Sequence, residues 1–507
     1  MINKKFKKNM IFSVITIVMS ILQTLFMVPY ITNAVSAEAY GYVSVVMNIV
    51  NMATIVSIAI TSMSARYITI ELQKKDFDKA NSYFNSILVA LIFISFGIIL
   101  LSTVAISNIN YFMNISSGFV VQVKILFAVA MTSLVISLII SPFLSGLYYK
   151  NSLFIMYIFA SLNYLLKIGF TIVLFNNYKL VIWGPFIGGL IIDFCSLIFY
   201  IFYIRYNVPQ ISISISKFKK KNILDVLSSG IWISITKLGT ILLSTCSIYL
   251  SNILVDVKIT GIYAAIIQLQ SLAILVTGAI VTCFNPEMYK LYANNEKDKL
   301  IEYTKMSIRI LDIPIGIIVG GIIIFGKYFM SLWINNQYMN YGMLITLSVI
   351  GLSFSLPIDV LSNLNVTVNK VKLPAIVSII SGILNVTLTI ILCKSFNMGI
   401  YGIAVSQVAI SILRALIFFP MYSAHILSIS KKTFYPDILY CTVVTLITIL
   451  FGIIANRILV PTSWLTLIAC ILFTGVCSFI IILLINKKMR YKIKIMFLKY
   501  LRIKNLN

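Results

Sequence analysis

Charged side chains inside long apolar segments are the residues of this sequence with the greatest capacity for chemistry. A charge inside a membrane span costs at least ~2.5 kcal/mol, so each such residue is a candidate functional group. Counting a rise of 1.5 Å per residue from the cytoplasmic boundary of each span places Asp193, Lys237 and Arg414 roughly 15 to 17 Å deep, near the middle of a bilayer. Four more lie closer to a membrane surface: Lys124, Lys167, Asp312 and Asp359.

These charges comprise four cations and three acids. Buried ions tend to pair, so one interpretation is that they neutralise one another and fix helix packing, for instance Asp193 with Lys167. Because apolar residues would pack without the desolvation cost, we favour a water-filled cavity with an excess of positive charge. Its natural occupant is an anion such as a phosphate or diphosphate group. We expect Lys237 and Arg414 to contact that anion, and Asp193 to balance them or to couple a cation.

The elements that must position these residues are apolar segments long enough to cross a bilayer. Hydrophobic residues make up 60% of the 507 residues and charged residues 11%, which excludes a soluble globular protein. The sequence predicts an all-α integral membrane protein with about 14 transmembrane helices. The predicted spans are 10–33, 40–64, 83–106, 119–147, 151–175, 180–204, 226–253, 261–285, 304–326, 341–366, 373–393, 398–423, 438–456 and 463–486.

The basic residues predict the orientation of the chain in the membrane. Of the 40 Lys and Arg residues, 30 lie at the termini or in the loops that share their side, and five lie on the opposite side. The positive-inside rule therefore predicts that both termini are cytoplasmic. This distribution explains the net charge of +26 without nucleic acid, and the same lysines would attract anionic membrane lipids.

A weak internal repeat appears at a separation of 220 residues. It aligns Gly41 with Gly261 and Tyr83 with Tyr303. Since six spans separate the copies, the repeat predicts two parallel, pseudo-symmetric six-helix bundles plus a C-terminal helix pair. The predicted boundaries are 1–210, 211–430 and 431–507, the last ending in a basic cytoplasmic tail.

Several kinds of site are not indicated by the sequence. The single histidine, His425, and seven cysteines without CxxC spacing do not form a metal-binding pattern. Residues 321–327 match the start of a phosphate-binding loop, but Tyr328 stands where Ser or Thr would hold Mg²⁺. We therefore expect no cofactor, no metal and no enzymatic activity.

Short motifs along the whole chain resemble the polysaccharide transport branch of the multidrug/oligosaccharidyl-lipid/polysaccharide exporter superfamily. Their order and spacing carry the resemblance more than any one of them. The motifs are Pro29-Tyr30, Ala39-Tyr40-Gly41-Tyr42, Ala65-Arg66-Tyr67, Gly261-Ile262-Tyr263, Asn285-Pro286-Glu287-Met288, Gly382-Ile383-Leu384-Asn385 and Gly399-Ile400-Tyr401-Gly402.

The resemblance implies a flippase that moves undecaprenyl-diphosphate-linked oligosaccharide repeat units from the inner to the outer leaflet of the bacterial cytoplasmic membrane. Such a protein would serve O-antigen, capsule or exopolysaccharide assembly by alternating access, as a monomer driven by a cation, H⁺ or Na⁺, or by the membrane potential. The alternatives are a drug or cation antiporter of the same superfamily and a membrane polymerase. The predicted site comprises the substrate-binding residues Lys237, Arg414, Lys167, Lys124 and Arg66 and the charge-balancing or ion-coupling residues Asp193, Asp359 and Asp312.

Overall fold

The computed structural model describes residues 4–177, 181–282, 284, 287–288, 291–292, 294–368 and 370–485. Every regular element in these ranges is helical, and 14 helical segments within them are long and apolar enough to cross a membrane. The predicted fold class, an all-helical membrane protein with about 14 spans, is confirmed.

The helices have the following bounds. They are α1 (Lys4–Ala34), α2 (Ala37–Ala53), α3 (Ile55–Gln73), α4 (Phe77–Ser107), α5 (Ile109–Phe112), α6 (Val120–Tyr149), α7 (Phe154–Asn177), α8 (Gly184–Asn207), α9 (Lys220–Thr240), α10 (Cys246–Leu254), α11 (Val257–Thr282), α12 (Lys297–Trp333), α13 (Gly342–Ile350), α14 (Leu352–Ser355), α15 (Ile358–Thr367), α16 (Lys372–Lys394), α17 (Ile400–Leu413), α18 (Phe419–Ile426), α19 (Tyr435–Ile458) and α20 (Trp464–Ile485).

Contacts between the helices group the chain into two compact units. Unit 1 comprises Met1–Ala265 and Lys372–Ile403, and unit 2 comprises Ile266–Val371 and Ala404–Asn507. Helices α11 and α17 each begin in unit 1 and end in unit 2. The repeat-related bundles with boundaries at 210 and 430 stay a prediction.

The second span is longer than its hydropathy suggests. Helix α3 continues to Gln73 because Ile68 and Leu72 are fully buried and extend the packed face beyond the predicted end at residue 64. The polar residues after position 64 therefore lie mainly in helix. Only Lys74–Asp76 form the turn between α3 and α4. Asp76 then caps α4 by accepting a hydrogen bond from the backbone N–H of Lys79 at 3.1 Å.

Irregular backbone occurs at a few defined points in the spans. The tenth span breaks at Gly351 and again at Pro357, whereas Pro29, Pro142 and Pro314 lie inside continuous helices. Two π-helical segments, Ile241–Thr245 after α9 and Arg414–Phe418 after α17, widen the helix for about one turn.

The π-helical segment of unit 1 is held by a side chain from a neighbouring helix. A wide turn leaves carbonyl groups without their usual helical donors. Asn385 of α16 donates from Nδ2 to the carbonyl oxygens of Leu242 and Leu243, at 3.3 and 3.1 Å. The wide turn is therefore a fixed feature of unit 1.

Candidate functional site

Unit 1 contains a cavity of about 500 Å³ between α2, α6, α7 and α8. Hydrocarbon side chains form much of its wall, as expected within a membrane protein. Its polar lining consists of Ser133, Ser137, Asn163, Tyr164, Lys167, Asp193, Ser196 and Tyr200. A concave site with a few convergent polar groups is the usual form of a ligand-binding pocket.

Asp193 on α8 is fixed in this cavity by side chains from two other helices. Its carboxylate accepts hydrogen bonds from Ser133 Oγ on α6 and, at 3.0 Å, from Asn163 Nδ2 on α7. Asn163 Nδ2 also donates to the carbonyl oxygen of Gly189 at 3.0 Å. Three helices thus determine where the negative charge lies, and the donors reduce the cost of keeping it ionised.

Lys167 on α7 lines the same cavity but forms no ion pair with Asp193. The two groups interact electrostatically, yet no direct ion pair joins them in the described structure. Lys167 Nζ lies 5.6 Å from the centre of the Phe186 ring, and its aliphatic stem passes over Gly189. The predicted juxtaposition of Lys167 and Asp193 is therefore present as two separated charges facing one cavity.

Lys237 lies on an exposed polar face of α9, which we call the α9 stripe: Thr236, Lys237, Thr240 and Ser244. Each of the three hydroxyls donates to the carbonyl oxygen four residues earlier, at 2.8 to 2.9 Å. Lys237 itself makes no hydrogen bond or ion pair with any residue that the structure describes. An ammonium group in a span is costly without water or an anion, so the stripe is a candidate for a solvated face of unit 1.

In unit 2, Arg414 opens the second π-helical segment and has an acid nearby. Arg414 and Asp359 of α15 interact electrostatically, and both side chains are half-buried. The guanidinium carbon of Arg414 lies 5.6 Å from the centre of the Phe419 ring. Asp359 is thus the carboxylate placed to balance Arg414 within its own unit.

Two other predicted binding residues lie away from the cavity lining. Lys124 is half-buried near the first turn of α6, and Arg66 is exposed on α3. Neither contributes to the wall of the unit 1 cavity.

The remaining predicted residue, Asp312, lies in a second charged cluster that the sequence did not suggest. Asp312 is completely buried on α12, and its charged neighbours are Arg309 on the same helix and Asp437 on α19. Asp437 falls just outside the predicted thirteenth span, and Arg309 was overlooked although it lies within the ninth. The signal that could have found Arg309 is its position three residues before Asp312, on the same helix face, whereas no such spacing indicates Asp437.

Comparisons with known proteins agree with this architecture. The profile of the family described as "Polysaccharide biosynthesis protein" matches residues 6–292. The uncharacterized membrane protein EpsK of Bacillus subtilis (strain 168) is 22% identical over 439 residues, 86% of each chain.

Two solved structures share the fold. The lipid II flippase MurJ, in an inward closed conformation, superposes with a TM-score of 0.71 at 16% identity and covers 94% of this chain and 100% of its own. An inward-facing multidrug resistance MATE family transporter of the MOP superfamily gives 0.67 at 12% identity, covering 82% of this chain and 98% of its own.

Proposed function

This chain belongs to the polysaccharide biosynthesis protein family, and we propose that it moves a lipid-linked oligosaccharide across the bacterial cytoplasmic membrane. The cargo is an undecaprenyl-diphosphate-linked repeat unit, carried from the inner to the outer leaflet by alternating access for assembly of O-antigen, capsule or exopolysaccharide. Family membership confirms the resemblance seen in the sequence motifs, while the cargo and its direction of movement are our proposal.

The observation that carries the proposal is the polar cavity of unit 1. The cavity has a volume of about 500 Å³ and contains a lysine and a hydrogen-bonded aspartate. Because charged groups in a span are costly, a protein that only anchors itself in lipid would have no use for such a cavity. Lys167 and Asp193 are held apart, so each has capacity for a ligand group. Hydroxyl groups of a sugar match such a lining because each both donates and accepts hydrogen bonds, and an acidic group of a sugar would accept from Lys167.

Lys237 and Arg414 are proposed to contact the acidic groups of the cargo, each from its own unit. Lys237 has no partner within the described protein, and its neighbours in the α9 stripe satisfy their hydroxyls internally. Arg414 presents a planar donor suited to a diphosphate oxygen pair. Lys124 and Arg66 are proposed as outlying attractive charges, and Asp359 as the balance for Arg414.

The transport cycle is proposed to be coupled to a cation, H⁺ or Na⁺, and to operate with both termini in the cytoplasm. The scheme is proposed for a monomer. Anionic lipids of the inner leaflet would surround the lysine-rich loops.

The decisive experiment measures in which leaflet single repeat units collect. Cells lacking this protein should keep them on the inner leaflet, and complementation with the double variant Lys237→Gln and Arg414→Gln should not restore surface polymer. The matched control is Lys74→Gln, an exposed lysine whose neighbour is Glu71. Normal surface polymer with the double variant, at normal protein levels, would refute the proposed roles.

A second candidate function is export of cationic drugs, which the hydrogen-bonded carboxylate of Asp193 in the cavity favours. This candidate predicts that expression raises resistance to cationic dyes and that Asp193→Asn abolishes the resistance. Polymerase activity would instead leave single units on the outer leaflet of cells lacking the protein. Both outcomes are read in the same strains as the leaflet measurement.

A further inference from the structure

Helices α12 and α19 of unit 2 pack with very little space between their backbones. A Cβ atom at Gly316 would lie 2.4 Å from Val444 Cγ1, and one at Gly320 would lie 2.7 Å from Thr448 Cβ. Two glycines four residues apart form the small-residue surface that allows membrane helices to approach closely. No water-sized space is therefore expected along this contact, and polar groups within it depend on protein partners.

One charged pair in the contact is joined directly. Arg309 Nε of α12 donates to Asp437 Oδ1 of α19, and Lys305 Nζ lies 3.8 Å from Asp437 Oδ2. The Asp437 side chain has no exposed surface, whereas those of Arg309 and Lys305 are 38% and 36% exposed. We call the side of the pair with the two partly exposed cations its wet side. The buried side, towards the centre of the helix contact, is its dry side.

Asp312 lies one turn from Arg309 on the dry side, and its carboxyl group is unsatisfied. The side chain is completely buried, and neither of its oxygens has a hydrogen-bond partner within the described protein. Arg309 is its nearest source of positive charge, but the Nε–H of Arg309 is committed to Asp437. An ionised carboxylate is not stable in such surroundings, because nothing replaces its lost hydration.

The ionisable groups around Asp312 offer no cation-binding set. Nearest along its own helix α12 are Lys305 and Arg309. The helices packed against α12 carry Asp437, Tyr440 and Cys441 on α19, with Tyr435 and Arg457 at the two ends of that helix, Asp359 on α15, and Cys470 and Cys477 on α20. Asp359 interacts with Arg414 instead of Asp312. A guanidinium group beside the carboxyl opposes a metal ion there. It also opposes a proton on the carboxyl, but its charge is offset by Asp437, to which Arg309 is bound.

We propose that Asp312 is a proton-binding site whose carboxyl group carries a proton while Arg309 is bound to Asp437. If Arg309 turns to Asp312, the proton leaves Asp312 for water on the wet side. Asp437 then loses its main partner and takes up a proton from the same side. One proton is released and one is bound, while the guanidinium remains charged throughout. Proton binding itself does not depend on the cargo; only its use in transport rests on the proposed function.

Infrared spectroscopy of the purified full chain tests the site directly. The wild-type protein should show a protonated-carboxyl absorption at neutral pH that Asp312→Asn removes. The control is Asp76→Asn, which should leave this absorption unchanged: the backbone N–H of Lys79 lowers the pKa of Asp76, so its carboxyl is ionised. An Asp312→Asn spectrum identical to wild type in this region would overturn the proposal. Because an asparagine side chain mimics the neutral acid in shape, we expect this variant to fold.

A second variant tests the exchange of partners. Asp437→Asn frees Arg309 to bind Asp312, so the Asp312 absorption should disappear although Asp312 is present. Persistence of the absorption in Asp437→Asn would refute the exchange. Loss of the wild-type absorption on adding Na⁺ at constant pH would refute a proton site in favour of a metal cation. These readouts need no lipid-linked substrate, so they succeed or fail independently of the flippase proposal.

Discussion

Two of the places where acids and bases from different helices meet in the described structure are built in opposite ways. In the unit 1 cavity, Lys167 and Asp193 face one polar space without forming an ion pair. In unit 2, Arg309 is bound directly to Asp437 where α12 and α19 are in close contact. Similar charges thus line a cavity in one unit and form a direct ion pair, which we call the clamp, in the other.

The difference comes from the residues around the charges. Gly316 and Gly320, about two and three turns along α12 from Arg309, bring the helices of the clamp close together. In the cavity, neutral donors from α6 and α7 form hydrogen bonds with Asp193. The carboxylate therefore does not need a direct ion pair with Lys167. A buried charge is therefore evidence for a site that binds a molecule as large as a sugar only when its neighbours leave space around it.

Breaking the clamp should produce the largest loss of stability. Arg309→Gln leaves the buried Asp437 with only Lys305 at 3.8 Å, and removing one partner of a buried pair costs about 3 kcal/mol. Thermal unfolding of the purified protein measures this loss. The control is Glu71→Gln at the exposed pair with Lys74, where we expect less than ~1 kcal/mol. Equal losses in both variants would show that the Arg309–Asp437 pair contributes no more to stability than an exposed ion pair.

Removing the acid of the cavity should cost less stability but more function. Asp193→Asn retains the shape of the side chain but weakens its bonds with Ser133 and Asn163, a loss of about 1 kcal/mol. Delivery of repeat units to the outer leaflet should nevertheless fall at least ~10-fold, which corresponds to about 1.4 kcal/mol in a rate-limiting step. Leaflet assays and unfolding curves on the same variant measure the two effects. Normal delivery would mean that the cavity is not the working site.

A methyl group at Gly189 tests whether the position of Lys167 matters. Its Cβ atom would lie 2.5 Å from Lys167 Cε, so Gly189→Ala must displace the lysine stem. The control is Gly169→Ala on α7, where no atom lies within 4 Å and alanine should stabilise the helix by ~0.5 kcal/mol. We expect Gly189→Ala to lower the free energy of unfolding by a similar amount and to reduce transport. Equal transport in the two variants would contradict a positioning role.

The sequence was sufficient for the membrane fold but only partly for the charged sites. Apolar length alone locates the spans because an unsatisfied backbone is so costly in lipid. It also identified Lys167 and Asp193, whose helices α7 and α8 are consecutive. It did not identify Ser133 or Asn163, since neutral polar residues are common in spans and have no distinctive spacing. Arg309 and Asp437 come from helices far apart in sequence, and no local pattern indicates that they meet.

Lys237 should show the smallest structural effect, because it is exposed and has no partner in the described protein. Lys237→Gln should change stability by less than ~0.5 kcal/mol while lowering transport. A water-facing α9 stripe further predicts that Lys237→Cys, in a background without other cysteines, reacts with a water-soluble thiol reagent. Val443→Cys on the exposed apolar face of α19 is the matched control and should react poorly. Because a thiol must ionise in water before it reacts, equal and slow labelling at both positions would place Lys237 against lipid and remove it from the proposed site.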